Sequence, residues 1–343
     1  MTTQSEKQRR QLLQAGLGAA AFMTAPAFVR AQTLSRPNIV IARPLTVLNH
    51  AAAVDAALRM DAFKAEGLNV TVSNFRSWSE VTQLTMSERG VFGLGANTVI
   101  RAVIGQNAPI RQIAMVSTLL PYNFWARPGS GIEKFSDLKG KRIQTVRPGE
   151  TLDLVWNQLL TDAGVSMSDV VRVEGFDGFG ALASNTVDAA NMNDSLFGRA
   201  RQQGFKKLLD YNDWRKAKGL KTGAANLGWS TATSTLENHP DTVRAFLRAM
   251  VRATMRMRQE KAFAMEVMTA APYRMDTKTA EESWELHRGH WMMRMDTTRG
   301  DFDFDIEKAA RGMNVPLSQV PREKLVAPDP IRLVLGELGV NFG

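Results

Sequence analysis

Short strand-like runs alternate with amphipathic helix-like runs along most of this chain, and that alternation restricts its fold more than any other feature. Residues 38–43 form a brief apolar run closed by Pro44 and read as a buried strand. Over residues 49–66, Val54, Ala57, Leu58 and Phe63 share one helical face, and Gly67 ends that helix. Residues 68–75 alternate as a strand does. A helix opens at about Trp78, with Ser77 or Ser79 in reach to cap it. Residues 91–95 make a third strand, Ala96 and Asn97 a turn, 98–104 a short helix and 110–118 a fourth strand. The middle of the chain repeats the pattern. Strands end at Val146 and cover 170–173, 187–190 and 206–209; helices cover 151–163, 178–184 and 195–202. Repetition of this kind predicts βα units and mainly parallel sheets flanked by helices. From Pro240 the pattern is helical. One long helix is expected over 241–268, with Val243, Phe246, Leu247, Met250, Val251, Thr254 and Met257 at three- and four-residue spacing, and a short one over 330–338.

A chain of 343 residues is long enough for two lobes, each with its own core. With 44% hydrophobic and 22% charged residues it is neither disordered nor a rod. It has no cysteine, which removes disulfides, thiolate metal sites and thiol nucleophiles together. The formal charge is +9, but it is unevenly placed. Lys7, Arg9, Arg10, Leu12 and Leu13 precede a small-residue apolar run over 15–28, and Val29-Arg30-Ala31 follows. That order reads as an export signal cut after Ala31, of twin-arginine type because of the Arg9-Arg10 pair. The apolar run is too short to cross a bilayer of ~30 Å. Lys7, Arg9, Arg10 and Arg30 against Glu6 give residues 1–31 a net +3, so +6 remains elsewhere. It is spread without a dense basic run, so nucleic acid is not an expected partner. The expected location is the bacterial periplasm.

Five stretches then carry a resemblance. Residues 60–70, with Glu66-Gly67-Leu68, are similar to a helix, acidic turn, Gly-Leu and strand opening. Residues 87–93 follow at the expected interval. Asp137-Leu138-Lys139-Gly140-Lys141 resembles a DLKGK helix–strand turn, and Val187-Asp188-Ala189 a vDA strand. Residues 237–246 resemble an "npe-v-af" helix start. In this order they resemble the solute-binding proteins of ABC importers for nitrate, taurine, alkanesulfonates and thiamine-pyrimidine precursors. The resemblance implies an α/β, two-lobed, type II periplasmic-binding fold. Each lobe would be a mostly parallel sheet flanked by helices, with the ligand cleft between lobes. Lobe one would be 32–118 plus 226–343 and lobe two 119–225, with crossings near 117–123 and 221–229. The implied partners are a small-molecule solute and an ABC permease with its ATPase at the inner membrane. The implied state is a monomer without cofactor, metal or catalysis.

In such folds the ligand meets the turns after the strands and the helix N-termini that follow. Arg147 with Gly149 and Thr151 is the foremost candidate. The glycine lets backbone approach a ligand, the next helix offers N–H groups, and arginine is a bidentate donor for an oxyanion. Glu150 is an unexpected acid beside it. Arg43 is a second anion anchor or a strand-end surface charge. Ser77 and Trp78 lie at a helix start, where Trp78 walls the cleft or staples the helix to the core. Asn97 follows the third strand, and Thr118 and Tyr122 lie at the first crossing. Asn193 and Asp194 follow the 187–190 strand; Asp194 meets a solute amine or caps a helix. Trp229 is an aromatic wall near the second crossing.

Other patterns imitate chemistry. His287 and His290 have helical i, i+3 spacing but no HExxH frame. Residues 301–312 begin like a calcium loop, yet Ile306 and Gly312 stand where Gly and Glu belong. The glycines at 175, 178 and 180 have the wrong spacing for a dinucleotide fingerprint, and the methionines of 250–268 and 292–295 suit a core. The reading that results is a receptor for a small, anionic organic solute such as a sulfonate or carboxylate. The alternative is an enzyme or ligand sensor on the same fold. Enzymatic relatives that make the thiamine pyrimidine or remove sulfinate rely on cysteine, which this chain lacks.

Overall fold

The computed structural model describes residues 33–44, 51–87, 90–148, 150–220, 227–295 and 303–342. The expected export signal lies outside them, as do Gly149, most of the second expected crossing and the start of the calcium-loop imitation. The strands are β1 (Asn38–Pro44), β2 (Asn69–Phe75), β3 (Val91–Ala96), β4 (Ile110–Ser117), β5 (Asn123–Ala126), β6 (Arg142–Thr145), β7 (Val171–Glu174), β8 (Ala189–Asn191), β9 (Lys206–Asp210), β10 (Leu227–Ala232) and β11 (Trp291–Arg294). The earlier helices are α1 (Ala52–Arg59), α2 (Ala62–Ala65), α3 (Trp78–Ser87), α4 (Asn97–Gln106), α5 (Thr151–Asp162), α6 (Gly178–Ala183), α7 (Phe197–Gln202) and α8 (Tyr211–Ala217). The later ones are α9 (Thr233–Asn238), α10 (Pro240–Gln259), α11 (Lys261–Thr269), α12 (Thr277–His287), α13 (Asp303–Gly312) and α14 (Asp329–Leu338).

Two sheets result. One has the order β11-β4-β10-β3-β1-β2 and the other β7-β6-β8-β5-β9. In the first, β2, β1 and β3 pair in parallel, with Val40 opposite both Thr71 and Val91. β10 runs antiparallel between β3 and β4, and β11 antiparallel along β4. In the second, β6 pairs in parallel with β7 and β8, while β5 runs antiparallel between β8 and β9. The reversed strands β5 and β10 have a physical cause. β4 ends at the carboxyl edge of the first sheet, so the chain enters the second sheet from the facing edge and must run against its neighbours. β10 returns the same way.

Sequence periodicity located most elements and misplaced a few. β5, β10 and β11 went unpredicted; residues 227–229, expected as crossing, are strand. The 49–66 helix is two pieces, because Asp61 adopts a left-handed φ of 51°. Val54, Ala57 and Phe63 are buried as expected, but Leu58 is 41% exposed, beyond the edge of that face. The long helix over 241–268 breaks at Glu260, whose φ and ψ are extended. Between these elements, Ser77 caps α3 in a capping box: its Oγ accepts from Glu80 N–H at 3.3 Å while Glu80 accepts from Ser77 N–H at 3.1 Å.

Apolar faces of α1, α4 and α10 close over the first sheet. Phe246 of α10 stacks on Phe92 of β3 at 4.0 Å, with Trp229 edge-on at 5.5 Å. Met250, Met257, Met268, Met292 and Met293 belong to this core, as their pattern suggested. The second sheet is covered by α5, whose Trp156 packs edge-on against Phe124 at 4.4 Å and donates to the Gln144 carbonyl at 2.8 Å. Gly178 opens α6 directly over β8, where a β-carbon would collide with the Asn191 carbonyl. Gly178 of the near-fingerprint thus serves packing, whereas a β-carbon at Gly175 would meet nothing. Asp188 ties β5, β6 and β8 together, accepting from Arg127 and from Arg142 side chain and backbone. These bonds, those of Arg142 foremost, hold its carboxyl far below the usual carboxylate range.

Candidate functional site

The turn after β6 is built by its own neighbours. Arg172 of β7 donates to the Val146 carbonyl at 3.3 Å and to the Asp153 carboxylate at 2.6 Å. That clamps both ends of the 146–153 segment. Arg147 stands exposed on it, and Thr151 is half-buried as the first residue of α5. The N-cap residue Glu150 makes no side-chain cap bond to this twelve-residue helix, so its N-terminal dipole faces the turn.

Glu150 is pushed above the ordinary glutamate pKa, first by burial and further by Glu174 and Asp153. Arg147 and Arg101 pull the other way. Arg101 comes from α4, on the other sheet. Arg101 of α4 and Glu150 at the start of α5 are therefore within electrostatic reach of each other between the two sheets. Asn97, first residue of α4, is 9% exposed, and its amide nitrogen has no hydrogen-bond partner among the described residues. Beside it, the hydroxyls of Thr98 and Thr82 are 2.7 Å apart. A buried amide donor, two arginines and a helix N-terminus can together hold an oxyanion.

Of the candidates, Arg147 lies within electrostatic reach of Glu150, as does Arg101, while Thr151 opens α5 and Asn97 opens the helix that carries Arg101. Arg101 was missed, though its signal was present: it is the lone charge in the α4 sequence NTVIRAVIGQ. The remaining candidates are occupied otherwise. Arg43 is neither a surface charge nor an open anchor. It is 2% exposed, donates to both Asp55 oxygens at 2.6 and 3.0 Å, and reaches Asn74 at 3.0 Å. Tyr273 also donates to Asp55, at 2.5 Å. Ser77 is spent on its cap, and Trp78 packs half-buried against the first core. Thr118 hydrogen-bonds His290 Nδ1 at 2.6 Å, and its N–H donates to the His290 carbonyl at 3.2 Å. Tyr122 lies edge-on to Tyr211 at 5.9 Å.

Asn193, not Asp194, caps the turn that follows, accepting from Ser195 N–H at 3.1 Å. Asp194 is 5% exposed and accepts from Ser283 Oγ at 2.7 Å, with His287 Nε2 at 3.1 Å. Both partners sit on α12, so this carboxylate fastens the C-terminal helices to the second sheet. His287 is thereby a core residue, stacked on Trp291 at 5.4 Å. No cluster of metal-ligating side chains occurs among the described residues. Trp229, expected as a cleft wall, is fully enclosed, and its indole N–H has no partner among the described residues. Its strand turns that side chain toward α10 and away from the gap.

The profile of the NMT1/THI5-like family matches residues 49–262. The chain belongs to the NMT1/THI5-like family. Solved structures that resemble it include one from Bordetella bronchiseptica RB50, at 20% identity and a TM-score of 0.73, covering 90% of this chain and 100% of that one. The periplasmic nitrate-binding protein NrtA from Synechocystis PCC 6803 superposes with a TM-score of 0.70 at 12% identity, over 90% and 91% of the two chains. The alkanesulfonate-binding protein SsuA from Xanthomonas axonopodis pv. citri, bound to MOPS, gives 0.65 at 14%, over 85% and 96%. The desulfurization enzyme DSZB shares the fold as well, with 0.67 at 14% over 88% and 100%. No curated protein matches. The fold of this family member is that of the type II periplasmic-binding proteins, two lobes with a cleft between them. No helix among its described residues is long and apolar enough to cross a membrane.

Proposed function

We propose that this NMT1/THI5-like protein is the exported solute-binding receptor of an ABC importer. It captures a small anionic organic solute between lobes 32–118 plus 226–343 and 119–225, and delivers it as a monomer to a permease. The observation that carries the reading is that Arg101 of α4 and Arg147 beside α5 both lie within electrostatic reach of Glu150. Arg101 and the orphaned Asn97 amide lie on one side, and Arg147 and the start of α5 on the other. An oxyanion placed there satisfies donors from both lobes at once, which favours closure. Structural neighbours that bind nitrate and alkanesulfonate support the anionic class. The absence of cysteine removes the thiol chemistry open to enzymes of this fold.

Small sulfonates and carboxylates, taurine and benzoate among them, are expected to raise the melting temperature of the purified protein. Mass spectrometry of the same mixtures should find the solute unchanged; a growing product peak overturns the receptor reading. Arg147→Ala should weaken binding by about tenfold or more, the loss of one charge-assisted hydrogen bond. The solute-free melting temperature should stay the same, because Arg147 is exposed.

A further inference from the structure

A cavity of about 520 Å³ opens where α10 and α12 both end, against the C-terminal residues. Its lining shares no residue with the Asn97 and Arg147 site: it lies at the β11 edge of the first sheet, whereas α4 follows β3, three strands along. Arg258, Arg288, His290 and Glu285 line it. Arg288 and Glu285 form a surface pair, Nε to Oε2 at 2.9 Å, each about half exposed. That pair is neutral as a unit, and Arg288 keeps two terminal nitrogens beyond it. Arg258 is different. It is half-buried, donates to the Trp291 carbonyl at 2.5 Å and lies over the Phe342 ring at 5.4 Å. Burial pulls its pKa down, with no carboxylate among the described residues to oppose that. Next to it, His290 is also pushed down, by burial first and then by the charges of His287 and Arg258.

We propose that this cavity is a second anion site, taking a small oxyanion (a phosphate or carboxylate group) between Arg258, Arg288 and His290. Half-burying a cation that no carboxylate pairs with among the described residues is costly, and an oxyanion supplies a counter-ion. The two helix ends each present about half a negative charge, which accounts for a cation near each. They leave His290 unexplained. Thr118 takes its Nδ1, so Nε2 is its remaining nitrogen, and uptake of a second ring proton adds a full positive charge to the wall. The groups that face His290 are Arg258 from α10, His287 and the Arg288–Glu285 pair from α12, and the Thr118 hydroxyl from the first crossing. An anion held there raises the His290 pKa. By the same linkage its affinity falls as pH rises through that pKa.

The test is NMR of isotope-labelled protein, with the His290 ring signal assigned from His290→Gln. Inorganic phosphate, and separately citrate, is titrated at ionic strength held constant with chloride. Either anion should shift the His290 titration upward and saturably, and the one saturating at lower concentration identifies phosphate or carboxylate as the preferred group. Arg258→Gln should abolish the shift. Arg288→Gln, on an exposed side chain that folding does not need, should weaken phosphate about tenfold, as for one charge-assisted bond. The proposal is overturned if His290 does not respond, if chloride alone reproduces the shift, or if the response survives in both variants.

Discussion

Asp55→Ala is expected to destabilise the protein by about 3–4 kcal/mol, within the range for stripping one partner from a buried ion pair. The Arg43 side chain is 2% exposed, so its guanidinium stays charged and stays buried when Asp55 goes. Burial opposes that charge, yet Asp55 and its neighbours outweigh burial and hold the Arg43 pKa above its ordinary value. Burial, then the Asp55 charge, keeps Tyr273 well above the usual tyrosine range, so its hydroxyl remains a donor. The substitution removes two bonds to Arg43 and one from Tyr273, leaving the guanidinium no carboxylate among the described residues, with the neutral Asn74 and Tyr273 beside it. At about 1.5–3 kcal/mol for each bond between charged groups, the two lost from Arg43 alone give roughly 3–6. Asp55 is 17% exposed, so water reaches the vacated site and favours the lower half. Urea unfolding followed by tryptophan fluorescence measures the loss. Arg43→Met with Asp55→Leu should recover most of it, since no unpaired charge then remains. A loss for Asp55→Ala within about 1 kcal/mol, the value of an exposed pair, refutes the reasoning. So does a double variant no more stable than the single one.

Glu150→Gln tests the acid in the cleft. With its pKa raised, folded Glu150 keeps a proton that the unfolded chain has already released, so stability falls as pH rises from the ordinary glutamate value through the raised one. Glutamine should flatten that slope in a pH series of urea melts, and an unchanged slope assigns it to other groups. Asp194→Asn should cost about 1–3 kcal/mol and speed amide exchange in α12, because His287 and Ser283 lose a charged acceptor. Trp229→Phe should leave solute affinity unchanged by calorimetry, since the indole is enclosed; a weakened affinity would return it to the cleft wall.

What the sequence reveals of this fold is its local part. α5 was legible because Leu152, Val155, Leu159 and Leu160 repeat at helical spacing, and all four are buried. β5 and β11 were not. Each has four residues, and Asn-Phe-Trp-Ala and Trp-Met-Met-Arg show no alternation, because both faces are covered. Among the site candidates, Arg147 is exposed on the turn before α5, where its local sequence put it. Arg43 and Asp194 were not legible, because their environments come from residues distant in sequence: Asn74 and Tyr273 for one, Ser283 and His287 for the other. Strand-end charges look alike until tertiary partners are known.

Sheet order also has a consequence for how the molecule comes together. All five strands of the second sheet lie within residues 123–210, a contiguous span that can complete its own pairing. The first sheet is threaded differently. β3 and β4 are not joined until β10 slides between them, and the outer edge of β4 stays open until β11 arrives, some 175 residues after β4 ends in the chain at Ser117. Through that interval an apolar pair of strands waits with bare edges. The second lobe is therefore the part able to settle first, and the first lobe, begun earlier, is the last to close.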